Sequence, residues 1–273
     1  MEGKPVTEQV TFAHHMLRLR GTRFGIRIAV RPAVLQILLV LLAVALAGAC
    51  LLIGDYPLTL GQVFEALSGQ QTFARVIVLE WRLPAAVSAV FFGALLGTGG
   101  AVFQVLTHNP LGSPDVIGFD AGAYTAVVVA MLLFGARAHG VIAAAAVGGG
   151  LLTALIVHLL SGRGRRGFRL VVAGLAVSAA LSAVNAYLIT RARVEDAMLV
   201  GFWGAGTLAR VDPATLPMWL GLAVALLASV ILLAPSLGII ELGEQAASAL
   251  GLPLESRRLL LVFVGVACSA VVT

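Results

Sequence analysis

The chain has 273 residues, 60% of them hydrophobic and 11% charged, with a mean hydropathy of +1.02. A soluble domain carries about a quarter charged residues, so these values exclude an ordinary water-soluble fold. The net charge of +5 comes from basic residues at the ends of apolar runs, not from a patch interleaved with aromatics, and it points to membrane topology with no nucleic-acid partner.

Residues 1–32 are polar and basic and read as a cytoplasmic tail ahead of a first membrane helix. Ala47-Gly48-Ala49-Cys50 faintly resembles a lipoprotein cleavage site, but the basic region is too long for a signal peptide and further apolar runs follow. Lys4 is the only lysine, so the phosphate loop G-x-x-x-x-G-K-[ST] cannot form here and any ATP must be bound by another subunit.

Crossing the hydrocarbon takes about 20 apolar residues, because ~30 Å is covered at ~1.5 Å per residue with every backbone polar group paired inside the helix. Seven stretches meet or approach this: Ala33 to Gly54, Pro84 to Leu106, Val116 to Gly135, Gly140 to Leu160, Leu170 to Thr190, Thr215 to Ala234 and Leu259 to Thr273. The last is too short to span, which reads as a C-terminal truncation. Residues 33–273 then form one incomplete transmembrane domain. With the N-terminus inside, 12 lysines and arginines fall on the cytoplasmic side and 6 on the other, the distribution that retains positive flanks in the cytoplasm.

The second span carries Gly93-x-x-x-Gly97 and Gly97-x-x-x-Ala101, small residues on one face that allow close packing inside the subunit or, alternatively, at a subunit interface. After it, His108-Asn109-Pro110-Leu111-Gly112-Ser113-Pro114-Asp115 holds two prolines and a glycine and predicts a tight cytoplasmic turn, with Asp115 placed to cap the next helix. Asp120, about one turn into the third span, is either a functional carboxylate or a capping, interfacially solvated one.

In the fifth span Gly174, Ser178, Ser182 and Asn185 recur at helical spacing and paint a mildly polar stripe, which suits a substrate path or interhelical hydrogen bonding equally. The segment 235–258 reads as cytoplasmic yet contains a helix-forming run, Glu241 to Leu250, ended by Gly251 and Pro253. Leu242, Ala246, Ala249 and Leu250 share a face of that run, which could dock into a partner's groove or lie on the membrane surface.

No catalytic constellation is visible. The five histidines lack metal-ligand spacing, there is no Gly-x-Ser-x-Gly elbow, and Cys50 and Cys268 both lie inside apolar runs. An ion-coupled secondary transporter would show buried carboxylates near the midplane and broken helices, and the spans hold almost none besides Asp120.

From about Gly54 onward the chain resembles the FecCD-type permeases of ABC importers for iron-siderophores, haem and vitamin B12. The resemblance rests on Gly54-Asp55-Tyr56-Pro57-Leu58, Glu80-Trp81-Arg82-Leu83-Pro84, Asn109-Pro110-Leu111-Gly112-Ser113-Pro114-Asp115 with Ile117-Gly118-Phe119, Gly122-Ala123-Tyr124-Thr125, and Leu242-Gly243-Glu244 with Leu250-Gly251. The wording, Trp203-Gly204-Ala205-Gly206 included, is most similar to the ferric-enterobactin permease subgroup. The resemblance implies an all-α, polytopic bundle of the ABC type II importer permease fold with about seven of ten helices present. It also implies a second permease subunit, two cytoplasmic ATPase subunits holding ATP and Mg, an external substrate-binding protein, and no cofactor bound by this chain. Arg82 matches an arginine that meets the binding protein, while Ala85 stands where a second arginine is frequent. The run with Leu242, Gly243, Glu244, Ala246, Ala247, Leu250 and Gly251 matches the element that couples to the ATPase. Asp120 stands where serine or asparagine is more usual.

Overall fold

The computed structural model describes residues 16–20, 25–70, 73–115, 117–162, 166–208 and 211–272. Lys4, His14, His15, Arg23, Val116, Arg163, Arg165, Arg210 and Thr273, on which parts of the charge count and span limits rest, lie outside the described residues. Among the described residues the architecture is a helix bundle, with one exception in the N-terminal tail. There β1 (Met16–Arg20) and β2 (Gly25–Ala29) pair antiparallel, Leu17 opposite Ile28 and Leu19 opposite Ile26. The alternation of apolar and basic residues in both segments is the period-two pattern of a strand, a signal that a reading of the tail by charge alone passes over.

The helices follow in order: α1 (Val30–Leu52), α2 (Leu60–Leu67), α3 (Phe73–Val76), a π-helical turn at Ile77–Arg82, α4 (Leu83–Thr107), α5 (Phe119–Leu132), α6 (His139–Ser161), α7 (Arg166–Arg191), α8 (Val194–Gly204), α9 (Leu216–Glu241), α10 (Glu244–Ala249) and α11 (Leu254–Ala270). Among the described residues five stretches are long and apolar enough to cross a membrane: α1, the continuous run Phe73–Thr107, α6, α7 and α9. Two of the seven expected spans, α5 and α11, are shorter helices.

Several limits move, each for a local reason. The second span begins at Phe73 instead of Pro84, because α3 and the π turn run without a break into α4, and Pro84, which cannot donate, stands directly after the π turn, where the helical bonding pattern is already altered. The sixth span runs on through Pro235 to Glu241, so the cytoplasmic-type segment expected over 235–258 shrinks to the break at Leu242–Gly243, α10 and the start of α11. Helices α2 and α8 occupy stretches expected to be loops. Thr59 and Gln62 form a reciprocal capping box that starts α2.

Helix α4 is the centre, packing on α1, α7, α9 and α11, while α5 packs on α6, α7, α8 and α11. Leu95, Val102, Phe103 and Leu106 of α4, Val157 of α6, Ile240 of α9 and Leu261 and Val266 of α11 are completely buried in one shared cluster. Inside lipid such helices associate through packing rather than water exclusion, so close backbone approach matters. At the α5–α6 contact a Cβ on Gly122 would stand 2.9 Å from the Gly149 carbonyl oxygen, and one on Gly149 would stand 2.5 Å from that of Gly122.

The small residues expected to pack inside the subunit behave otherwise. A Cβ at Gly93, Gly97 or Gly100 would meet nothing within 4 Å, whereas one at Gly99 would lie 3.1 Å from the Gly265 carbonyl. The face carrying Gly93 and Gly97 therefore points out of the bundle, and the packing reading gives way to an open surface.

Candidate functional site

Each end of the bundle has its own polar anchor. At one end Arg82, half-buried at the end of the π turn, donates from Nη1 to the Leu51 carbonyl (2.9 Å) and from Nη2 to the Tyr56 carbonyl. The guanidinium lies against Gly54, where a Cβ would come within 2.6 Å of Nη2. Arg82 thus holds the loop between α1 and α2 in shape. At the same end an ion pair joins Arg137, after α5, to Asp196 of α8.

At the other end the expected coupling residues assemble on α10. Gly243 (φ +101) and Gly251 (φ +77) bracket it in conformations that suit glycine, so the short helix is set off from α9 and α11 by two sharp corners. Ala247 is fully buried against the bundle, Ala246 is half-buried, and Leu242 and Leu250 stand 67% and 64% exposed. Glu244 accepts a bond of 2.6 Å from Nη1 of Arg258, whose Nη2 donates to the Leu106 carbonyl at the end of α4 (3.0 Å). The charge pattern offered no sign of Arg258, because an arginine at the start of an apolar run reads as one that snorkels to water.

Between the two ends lies the stretch expected to be a tight surface turn. Asn109 does form a turn, its Oδ1 accepting from the Leu111 N–H (2.9 Å) after His108 ends α4 with a left-handed backbone (φ 51). Pro110 follows it, and the chain then folds back into the bundle. Pro114 comes to rest opposite Gly99, where an added Cβ would sit 3.7 Å from its Cγ. Gly99 precedes the last residue of α4 by two turns of helix, roughly 12 Å at ~1.5 Å per residue.

The chain over 109–115 and at Ile117 and Gly118 is therefore re-entrant, and α5 starts inside the bundle. Its 14 residues cover about 21 Å, which explains why this span is short. Asp115 does not cap it: the cap residue is Gly118 (φ +84), with no side-chain hydrogen bond, and Asp115 is exposed. Irregular backbone at this depth is tolerated because protein surrounds it, and Ile117 and Phe119 are buried.

The same geometry relocates Asp120. Its place in the first turn of α5 suggested the membrane interface, but α5 begins well below the end of α4. The Asp120 carboxylate accepts a bond from the Ser269 hydroxyl of α11 (2.6 Å), and Ser269 is 1% exposed. Asp120→Ala leaves that hydroxyl without this acceptor and should cost about 1–3 kcal/mol, whereas Asp120→Asn keeps an acceptor oxygen and should melt close to the parent protein. Thermal unfolding of both variants checks this, and equal melting for alanine and the parent would dismiss the pin.

The polar stripe of α7 divides. Gly174 and Ser178 lie under the start of α5, where a Cβ on Gly118 would come within 2.6 Å of the Ser178 Cβ and 2.9 Å of the Gly174 carbonyl. Ser182 is exposed, and Asn185 is buried with its Oδ1 lacking a hydrogen-bond partner among the described residues. Two members thus serve packing, and the other two face different surroundings. Among the described residues no cluster of three metal-ligating side chains occurs.

The model of the FecCD transport family matches residues 34–273. The chain is 40% identical over 237 residues to the ferric enterobactin transport system permease protein FepG of Escherichia coli, covering 84% of this chain and 72% of that protein. It is 35% identical to the ferric enterobactin permease FepD of the same organism, over 74% of this chain and 61% of FepD, and 30% identical to the iron(3+)-hydroxamate permease FhuB of Bacillus subtilis, over 76% and 57%. A metal-chelate type ABC transporter solved in an inward-facing conformation superposes with a TM-score of 0.73 at 27% identity, covering 88% of this chain and 76% of that one.

Proposed function

Because the chain belongs to the FecCD transport family, we propose that it is the membrane-spanning subunit of an ATP-driven importer for an iron-siderophore, a ferric catecholate of the enterobactin kind, in the inner membrane of a bacterium. The observation that carries this reading is α10: a separate short helix flanked by the exposed apolar side chains of Leu242 and Leu250, set at one end of a bundle whose sequence is 40% identical to FepG over 237 residues. An exposed apolar edge of that kind marks a protein contact.

In this reading α10 faces the cytoplasm, as does the N-terminus, and meets an ATPase subunit that holds ATP and Mg. A second permease subunit completes the path, along which Ser182 and Asn185 lie. The loop shaped by Arg82 is where the external binding protein docks. The chain itself forms no covalent bond with the substrate. Its role is to hold inward- and outward-open arrangements close enough in energy that unequal binding of the partners moves it between them.

The full-length chain, reconstituted with its partners in liposomes, should take up radioiron-labelled enterobactin with ATP inside and binding protein outside. A ferric hydroxamate should compete poorly. Transport of the hydroxamate with no catecholate uptake would refute the substrate assignment. A second reading, ion-coupled transport, draws on Asp120 lying deep in the bundle at the start of a shortened helix. It requires uptake that collapses with a proton ionophore at constant ATP, and the ATP-driven reading requires uptake that survives it.

A further inference from the structure

Arg258 is 5% exposed and is the fifth residue of α11, yet both of its recorded bonds leave that helix. One nitrogen donates to the Glu244 carboxylate on α10, the other to the Leu106 carbonyl at the end of α4. On its remaining side lie Ser161 at the end of α6 and Leu170 near the start of α7, which line a small cavity with it. Burying a guanidinium is costly unless its donors are matched, and here one side chain on α11 joins its neighbour α10 to α4, which lies far away along the chain.

The carbonyl is the informative partner. The last carbonyls of a helix have no partner within it, and Leu106 lies at the last turn of α4, which packs on α1, α7, α9 and α11. Immediately beyond it the chain enters the re-entrant segment. A displacement of α10 therefore has three routes into the bundle: along the chain through Gly243 into α9, along the chain through Gly251 and Pro253 into α11, and across Glu244 and Arg258 into α4. The two along the chain pass through glycines at φ +101 and φ +77, corners suited to bending. The third is a short charge-assisted link from the guanidinium fork, which resists bending.

We propose that Arg258 is a positioning residue that locks α10 to the end of α4, so that the two move as one body when the ATPase moves α10. This rests on the reading of α10 as the ATPase contact. Glu244 takes the carboxylate role and Leu106 the carbonyl role. A lysine at 258 has a shorter reach and three N–H groups that radiate from one nitrogen, so it does not span the two acceptors that separate guanidinium nitrogens reach.

The test uses the full-length transporter with its ATPase subunits and binding protein, Cys50 and Cys268 replaced, and spin labels at Gln104 on α4 and Ser248 on α10, both exposed. In the parent protein the distance between the labels should be the same without nucleotide and with bound ATP. In Arg258→Gln it should differ between the two states, and uptake per ATP hydrolysed should fall by at least about threefold, the size of effect expected when a coupling contact is removed. Arg258→Lys should fall between. A label distance in Arg258→Gln as constant as in the parent, or uptake per ATP within twofold of it, overturns the proposal. So does a parent protein in which the distance already changes with ATP. Failure of the underlying reading looks different: the labels would stay locked in the parent, but ATPase association would be indifferent to substitutions of the exposed residue Leu250.

Discussion

Leu250→Asp should abolish ATP-driven uptake while the bundle itself remains folded. Leu250 is 64% exposed at the end of α10, next to the Gly251 corner, so a carboxylate there meets water in the isolated subunit and disturbs no packing. In the assembled transporter the same side chain would lie in the contact with the ATPase, where a central apolar anchor contributes about 2 kcal/mol or more. That corresponds to a loss in association of about 30-fold. The measurement is co-purification of the ATPase with the full-length permease, accompanied by thermal unfolding of the permease alone. Retained ATPase and retained uptake would remove α10 from the coupling role.

Glu244→Lys should act on the same face by a different route. It places an ammonium beside buried Arg258 and breaks the 2.6 Å bond, leaving the guanidinium with the Leu106 carbonyl as its remaining recorded partner. Truncating one side of a buried pair is costly because the other charge stays behind. Leu250→Asp should therefore spare stability and Glu244→Lys should not, although both silence transport.

What the sequence makes legible follows from how local each signal is. The long apolar runs needed only composition, and the end of α10 needed only Gly251, so both stand near their expected places, whereas its start moved: Gly243, read as part of the run, breaks it and leaves Glu241 on α9. The segment 109–118 was legible as a break in helix but not in depth, since Pro110, Gly112 and Pro114 describe a turn equally well at a membrane surface or 12 Å or so inside it. Depth is set by what the turn packs on, and that is Gly99, a residue from another helix. Of the two readings of Asp120 the interfacial one fails for the same reason, and the cap residue of α5 is Gly118 instead of Asp115. Arg258 escaped notice because its partners are a carboxylate fourteen positions earlier and a backbone carbonyl with no sequence signature. The outward face with Gly93 and Gly97 shows the converse: spacing locates a small-residue stripe, but the neighbour it awaits is decided by the whole bundle.

Gly118→Val carries the largest expected effect on folding, because two independent penalties fall on one residue. The backbone at Gly118 is left-handed (φ +84), which costs an L-residue about 1–2 kcal/mol, more for a β-branched one. Its Cβ would also stand 2.6 Å from the Ser178 Cβ and 2.9 Å from the Gly174 carbonyl, an overlap with backbone that cannot be relieved by a rotamer change and costs about 1–3 kcal/mol more. The two come to about 3 kcal/mol, a large part of the 5–15 kcal/mol that typically holds a domain together. Gly48→Ala on α1, where nothing lies within 4 Å, provides the contrast: the added methyl meets open space in a helix and should leave melting unchanged or slightly raised. Thermal unfolding of the two full-length variants in detergent separates them. If Gly118→Val melts with Gly48→Ala, the start of α5 does not lie against α7, and the re-entrant path loses the contact at Gly118 that ends it.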